Sequence, residues 1–193
     1  MSAQVNADAV GRYLWVLHSA AHHEAAHAIV GALTGLRPIV VRVLTKSALR
    51  RNRSGEVDFA GDYSSTLDAP MLCAGYFGAL RASRPLTREQ RSELRTRAAA
   101  DLEALRAVTA HLAAAEQARF IRSAALCAGR LARSFWPEIQ RLAGAFTQGD
   151  VTTVRGRRLE KLLANALRAE WHETPAGRAW LAATAPSPSR PGR

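Results

Sequence analysis

The 193-residue sequence is poor in several features, and each scarcity excludes a class of protein. It has two cysteines, Cys73 and Cys127, too few for a disulfide scaffold and without the Cys-x-x-Cys pair of a thiolate zinc knuckle. No apolar run approaches the ~18–20 residues of a membrane span, and no signal-peptide core is present. A Gly-rich P-loop is missing, so we expect no ATP binding by this chain. We therefore expect a cytoplasmic protein without a membrane anchor.

Lysine is also scarce, although the chain is strongly basic. Of 27 basic residues only Lys46 and Lys161 are lysine, and the net charge is +11. This charge permits attraction to nucleic acid, which stays open as a possible partner. Two arginine clusters lie at 50–53 and 155–158, and neither contains an aromatic residue among its arginines. This favours a solvated surface over nucleic-acid contact.

The apolar content of 48% and charged content of 22% are typical of a globular domain. The length predicts a single domain over 1–180. The segment 181–193 is rich in Pro, Ser and Arg, which predicts a disordered tail.

The pattern along the chain predicts a mainly α fold of the α+β class. A helix is expected over 7–34, with Gly11 as a candidate break, followed by strands at 39–44 and 56–60 that form a small antiparallel unit beside it. Helices are then expected over 68–83, 87–115 and 116–134, and another from Pro137, with a capping box at Thr87 and Gln90. A stripe of apolar residues at helical spacing predicts the last helix: Leu159, Leu162, Leu163, Ala166 and Leu167.

Chemistry is indicated by His23-Glu24-Ala25-Ala26-His27, an HExxH sequence inside the first predicted helix. Residues 23 and 27 lie about 40° apart around a helix, so both imidazoles point to one side and can hold one Zn²⁺. Glu24 lies to the side of that pair, where it can act as the general base for water.

A catalytic zinc needs a third protein ligand, and spacing alone does not choose it. The downstream candidates are Asp58, Asp62, Asp68, Asp101, Glu103, His111 and His172. A second pair at the same spacing, His18 and His22, has no glutamate after its first histidine and projects from another side of the helix. We interpret that pair as supporting or surface histidines.

The run His23-Glu24-Ala25-Ala26-His27-Ala28-Ile29-Val30-Gly31 resembles the active-site helix of the FtsH-type zinc metallopeptidases. The order of the segments that follow is also similar to that family. They are a strand pair, a small-residue helix at 68–83, Ala-Asp-Leu-Glu-Ala at 100–104, and the segments 136–143 and 154–159. The resemblance covers about 18–170. It implies His23, His27 and Asp101 as zinc ligands and Glu24 as the catalytic base.

The sequence departs from that family at three places in the peptidase domain. An insertion lies around 87–97, ahead of Asp101. Ala26 stands where the family has glycine, and Gly78-Ala79-Leu80 stands where it has an Ala-Glu pair. No ATPase module accompanies the domain, so the resemblance implies a stand-alone zinc metalloendopeptidase acting on protein or peptide substrates, with a homo-oligomer left open. The alternatives are an inactive peptidase-like binding module and an arginine-rich nucleic-acid binder.

Overall fold

Helix α1 runs through the middle of the fold in the computed structural model, which describes residues 2–43, 55–61, 68–148 and 152–184. The helices are α1 (Ser2–Leu33), α2 (Ala69–Ala82), α3 (Arg88–Arg97), α4 (Ala99–Val108), α5 (Ala114–Ser134), α6 (Trp136–Thr147), α7 (Gly156–Arg168) and α8 (Pro175–Thr184), with a 3₁₀ turn at Trp171–Glu173. The strands are β1 (Arg37–Val43), β2 (Gly55–Ala60) and β3 (Thr153–Arg155). The expected mainly α fold of the α+β class is confirmed.

The C-terminal half of α1 is the centre of the core. Residues 19–33 are all buried, and most of them are alanine or other apolar residues. A helix that is buried all round must have partners on every side. Helices α2, α6 and α7 and strands β1 and β2 pack around it. The HExxH sequence therefore lies on a rigid element.

The sheet is antiparallel, with the order β2–β1–β3. Val41 in the central strand lies opposite Val57 and Val154, and Val41 and Val154 are buried against the core. The predicted strand pair is present, and β3 adds a third strand that the sequence analysis missed. Three residues are too few to show an alternating pattern.

The helix boundaries differ from expectation at three places. Helix α1 begins at Ser2 rather than at residue 7. Helix α1 continues through Gly11 without a break, and the helix expected over 87–115 is divided at Ala98 and again between Val108 and Ala114. Neither division is marked by Gly or Pro. At the second division the Thr109 hydroxyl donates to the Leu105 carbonyl, so a side chain satisfies a group at the end of α4.

Other expectations have mixed outcomes. The capping box of Thr87 and Gln90 is confirmed, with both reciprocal hydrogen bonds formed. Helix α8 reaches Thr184, and the rest of the expected tail, 185–193, lies outside the described residues. Within the described part of the chain, no helix combines the length and hydropathy needed to cross a membrane.

Candidate metal centre

The HExxH residues occupy one buried turn of α1. His23, Glu24 and His27 are 5%, 3% and 6% exposed. The two imidazole rings lie edge to face with their centroids 4.7 Å apart, and their Nε2 atoms are 3.0 Å apart. Both nitrogens therefore point to the same space, as the one-turn spacing predicts.

Asp101, near the start of α4, brings a carboxylate to the same point. Its Oδ2 lies 3.1 Å from His23 Nε2 and 3.3 Å from His27 Nε2. Ligand atoms held at ~2.0–2.1 Å by a tetrahedral Zn²⁺ stand about 3.3 Å apart. The three observed separations thus come close to those of three corners of a zinc tetrahedron. Two groups of described residues have ligand atoms close enough to hold a metal, and this is the one whose histidines are buried.

The backbone of α2 determines the tautomer of His27. Its Nδ1 lies 2.8 Å from the Met71 carbonyl oxygen, and a carbonyl can only accept, so Nδ1 carries the hydrogen. In the neutral ring Nε2 then presents a lone pair toward His23 and Asp101. Such a second hydrogen bond is typical of metal-ligating histidines, because it fixes the ring and raises its basicity.

Asp101 tests whether the donor set fits a cation. Its Oδ2 is buried and accepts no hydrogen bond of acceptable geometry, although two ring nitrogens lie beside it. A buried carboxylate oxygen left in this state is costly, and a bound cation would satisfy it. Two imidazoles and one carboxylate are also a donor set that zinc accepts. The residues present therefore fit a zinc ion.

The protein charges in this centre are strongly coupled. Burial by itself lowers the pKa of His27, but the carboxylates of Asp101 and Glu24 raise it to about 9. Burial by itself raises the pKa of Asp101, but the charges of the adjacent His27 and His23 imidazoles hold it well below its usual range. A proton on His27 thus offsets the carboxylate charge, and a metal ion would have to displace that proton.

Helix α2 approaches the two histidines through Gly75. A Cβ added at this position would lie 2.5 Å from His23 Nε2 and would also overlap His27 Nε2. Glycine therefore keeps open the space beside both ligand nitrogens. The sequence analysis placed Gly75 on a small-residue helix but did not identify this role. The available signal was a pair of glycines, Gly75 and Gly78, one turn apart inside a helix, where glycine is unfavourable without a close contact.

Glu24 lies between the histidine pair and the start of β2. A Cβ added at Gly55 would lie 2.6 Å from Glu24 Cγ, so the strand backbone passes directly beside this side chain. Its charge is one of the causes that raise the pKa of His27. The geometry thus brings together a general-base candidate and three ligand candidates.

The other third-ligand candidates lie elsewhere. Asp58 pairs with Arg42 at 2.7 Å on the sheet, Asp68 is buried at the start of α2, and Glu103 and His111 are exposed. Asp62 lies outside the described residues. His172 belongs to a separate exposed group with Glu170 and Glu173. Among the described candidates, only Asp101 reaches the His23–His27 pair.

The second histidine pair has a structural role. His22 is buried and stacks on Trp136 of α6 with ring centroids 5.4 Å apart, and its Nδ1 donates to the His18 carbonyl. Burial lowers the pKa of His22 to about 4, partly opposed by the hydrogen bond to His18. His22 is therefore neutral, and it helps to join α1 to α6.

Comparison of the chain with protein-family models, with curated proteins and with solved structures finds no match. The resemblance to the FtsH-type peptidases thus rests on sequence pattern alone and stays a hypothesis.

Proposed function

We propose that this protein is a zinc-dependent metallopeptidase that uses His23, His27 and Asp101 as ligands and Glu24 as general base. The observation that carries the proposal is the convergence of three donor atoms within 3.0–3.3 Å of one another, beside a buried glutamate. HExxH on a regular helix is the arrangement that zinc peptidases use.

The division of labour follows from the side chains. A bound zinc ion supplies a Lewis acid that acidifies water and polarises a peptide carbonyl. His27 is oriented by the Met71 carbonyl, and Asp101 contributes the negative charge of the ligand set. Glu24 accepts the proton of the attacking water and passes it to the leaving amine. Burial of Glu24 strengthens these electrostatic effects by excluding bulk water.

Strand β2 supports a polypeptide as the substrate class. It pairs with β1 along one side, and no strand of the described part pairs with its other side. An extended peptide can add to such an edge by main-chain hydrogen bonds. Because Gly55, the first residue of β2, lies against Glu24, a peptide on this edge would run toward the base. Cytoplasmic location and cleavage that needs no ATP bound by this domain are part of the same proposal.

Metal content and peptide cleavage test the proposal together. We expect about one zinc per chain in the purified protein, and loss of zinc in His27→Ala and in Asp101→Ala. Glu24→Gln should keep zinc and lose about 100-fold or more of a chelator-sensitive cleavage rate on unstructured peptides.

Glu103→Gln is the matched control, since it removes an exposed carboxylate two residues from Asp101. It should keep both zinc and activity. If Glu24→Gln cleaves as fast as the unaltered protein, the mechanism is wrong. Zinc binding without any cleavage would favour the peptidase-like binding module.

A further inference from the structure

In the described part of the chain, three surface cavities lie beside α6, and at least one cationic residue lines each of them. The largest, about 820 Å³, lies between α6 and α7. The other two, about 500 and 430 Å³, lie where α1 and the end of α2 meet α6, and one of them shares Gln140 with the largest. Five cationic residues line these cavities, and we call them the α6 basic surface: Arg81, Arg84, Arg141, Arg158 and Lys161.

Among the described residues, no acid balances the charge of this surface. No carboxylate of the described residues lies within ion-pair distance of any of the five, and none lines the three cavities. The acids on the same helices have other partners: Glu138 accepts from Asn165, and Glu160 lies 3.7 Å from Arg37. A concave, uncompensated basic surface attracts an anionic partner.

The aromatic side chains here favour a polypeptide over single-stranded nucleic acid. Trp136 already stacks on His22, and the Arg81 guanidinium lies 4.9 Å from its ring centroid. This ring is thus engaged within the protein, whereas nucleic-acid grooves offer aromatic faces to the bases. One of the cavities is lined by Leu14, Trp15 and Leu17, and Leu14 is 57% exposed. The surface thus has an apolar end beside its basic part.

We propose that the α6 basic surface docks an acidic segment of a partner polypeptide, whose carboxylates face the five cations while an apolar side chain packs beside Leu14 and Trp15. Guanidinium groups suit such a partner because they bind carboxylates in a bidentate manner. This inference concerns binding alone, and it holds whether or not the metal centre hydrolyses peptides.

Fluorescence anisotropy with the full-length chain tests this docking. The probe is a short labelled peptide rich in glutamate with one leucine, compared with its glutamine counterpart and with a single-stranded oligonucleotide. The protein is dialysed against a chelator, so that binding of carboxylates to a metal does not contribute. We expect the glutamate peptide to bind at least about tenfold more tightly than the glutamine peptide, with affinity falling as salt is added.

Two double variants separate the local surface from the overall charge. Arg84→Glu with Lys161→Glu alters the surface, and Arg119→Glu with Arg133→Glu alters exposed positions on α5. Each double variant lowers the net charge by the same amount, from +11 to +7. We expect about a tenfold or greater loss of peptide affinity in the first and less than about threefold in the second.

Three results would overturn the proposal. Equal losses in the two double variants would assign the binding to net charge alone. Equal affinity for the glutamine peptide would remove the role of the carboxylates. Tighter binding of the oligonucleotide, lost in the same surface variant, would assign the surface to nucleic acid.

Discussion

Gly75→Ala is the smallest change expected to close the metal centre. The new Cβ would lie 2.5 Å from His23 Nε2 and 2.6 Å from its Cε1, whereas real Cβ atoms keep at least 3.0 Å from such neighbours. The imidazole must therefore move by about 0.5 Å, and zinc sites tolerate deviations of only ~0.2 Å. We expect zinc affinity to fall by about 10–100-fold, which is the range seen when groups that orient metal ligands are lost.

The fold should survive this substitution. Alanine in a helix interior gains roughly 0.5–1 kcal/mol over glycine, while overpacking a core costs about 1–3 kcal/mol. The free energy of unfolding of the metal-free protein should therefore fall by no more than about 2.5 kcal/mol. Zinc affinity measured against a chromophoric chelator, and urea unfolding in the presence of a chelator, separate the two effects.

Gly144→Ala is the matched control. It is also a glycine in a helix interior, but the nearest atom to its added Cβ lies 3.9 Å away, on Gln148. This variant should be slightly more stable and bind zinc as the unaltered protein does. If Gly75→Ala keeps full zinc affinity, the metal does not lie between His23 and His27 beside α2, and the assignment of the centre is refuted.

Three further predictions concern titration and reactivity. The pKa of His27 is raised to about 9, so its contribution to the free energy of unfolding of the metal-free protein should be complete below pH 6.5 and be lost as the pH rises through 9. Urea titrations of His27→Gln should lack this decline, and the zinc affinity of the unaltered protein should rise over the same pH range. The pKa of His22 is lowered to about 4, so its contribution to the free energy of unfolding, up to about 3 kcal/mol, should be present above pH 6.5 and be lost as the pH falls toward 4. In the same urea titrations, His22→Gln should lack this part of the acid sensitivity. Burial, together with the Asp101 charge, raises the pKa of Cys73 to about 12, and burial raises the pKa of Cys127 to about 11. Iodoacetamide should therefore modify both thiols only when the protein unfolds. Rapid alkylation of the folded protein, followed by mass spectrometry, would contradict this.

The parts of the centre that are close in sequence were predictable, because helical geometry alone places His23 and His27 on one side of α1. Asp101 was not predictable from spacing. It is separated from His27 by β1, β2, α2 and α3, and its approach depends on how α2 and α4 pack. Only the resemblance to a known family selected it among the candidates. Its position beside both ring nitrogens is a tertiary property.

The same distinction explains the errors in the secondary structure. Helix α7 was predicted because a repeated apolar stripe specifies it, and α1 because its sequence is apolar and rich in alanine, a strong helix former. The end of α4 was missed, since it depends on the Thr109 hydroxyl and on Gln117, whose amide donates to the Arg106 carbonyl at the helix end. Such local side-chain bonds leave no Gly or Pro signal in the sequence.

Helix α2 accommodates the methyl group of Ala26, which stands where the FtsH-type peptidases have glycine. A Cβ added at Gly78 would lie 2.6 Å from the Ala26 Cβ and would overlap the His22 carbonyl oxygen, so α1 and α2 are close enough for only one methyl group between them. With alanine on α1, the glycine must lie on α2. Alanine favours the ligand helix by about 1 kcal/mol over glycine, and Gly78 with Gly75 lets α2 approach it. The same face of α2 therefore meets both the Ala26 methyl and the two ligand histidines, which is why α2 has two glycines one turn apart.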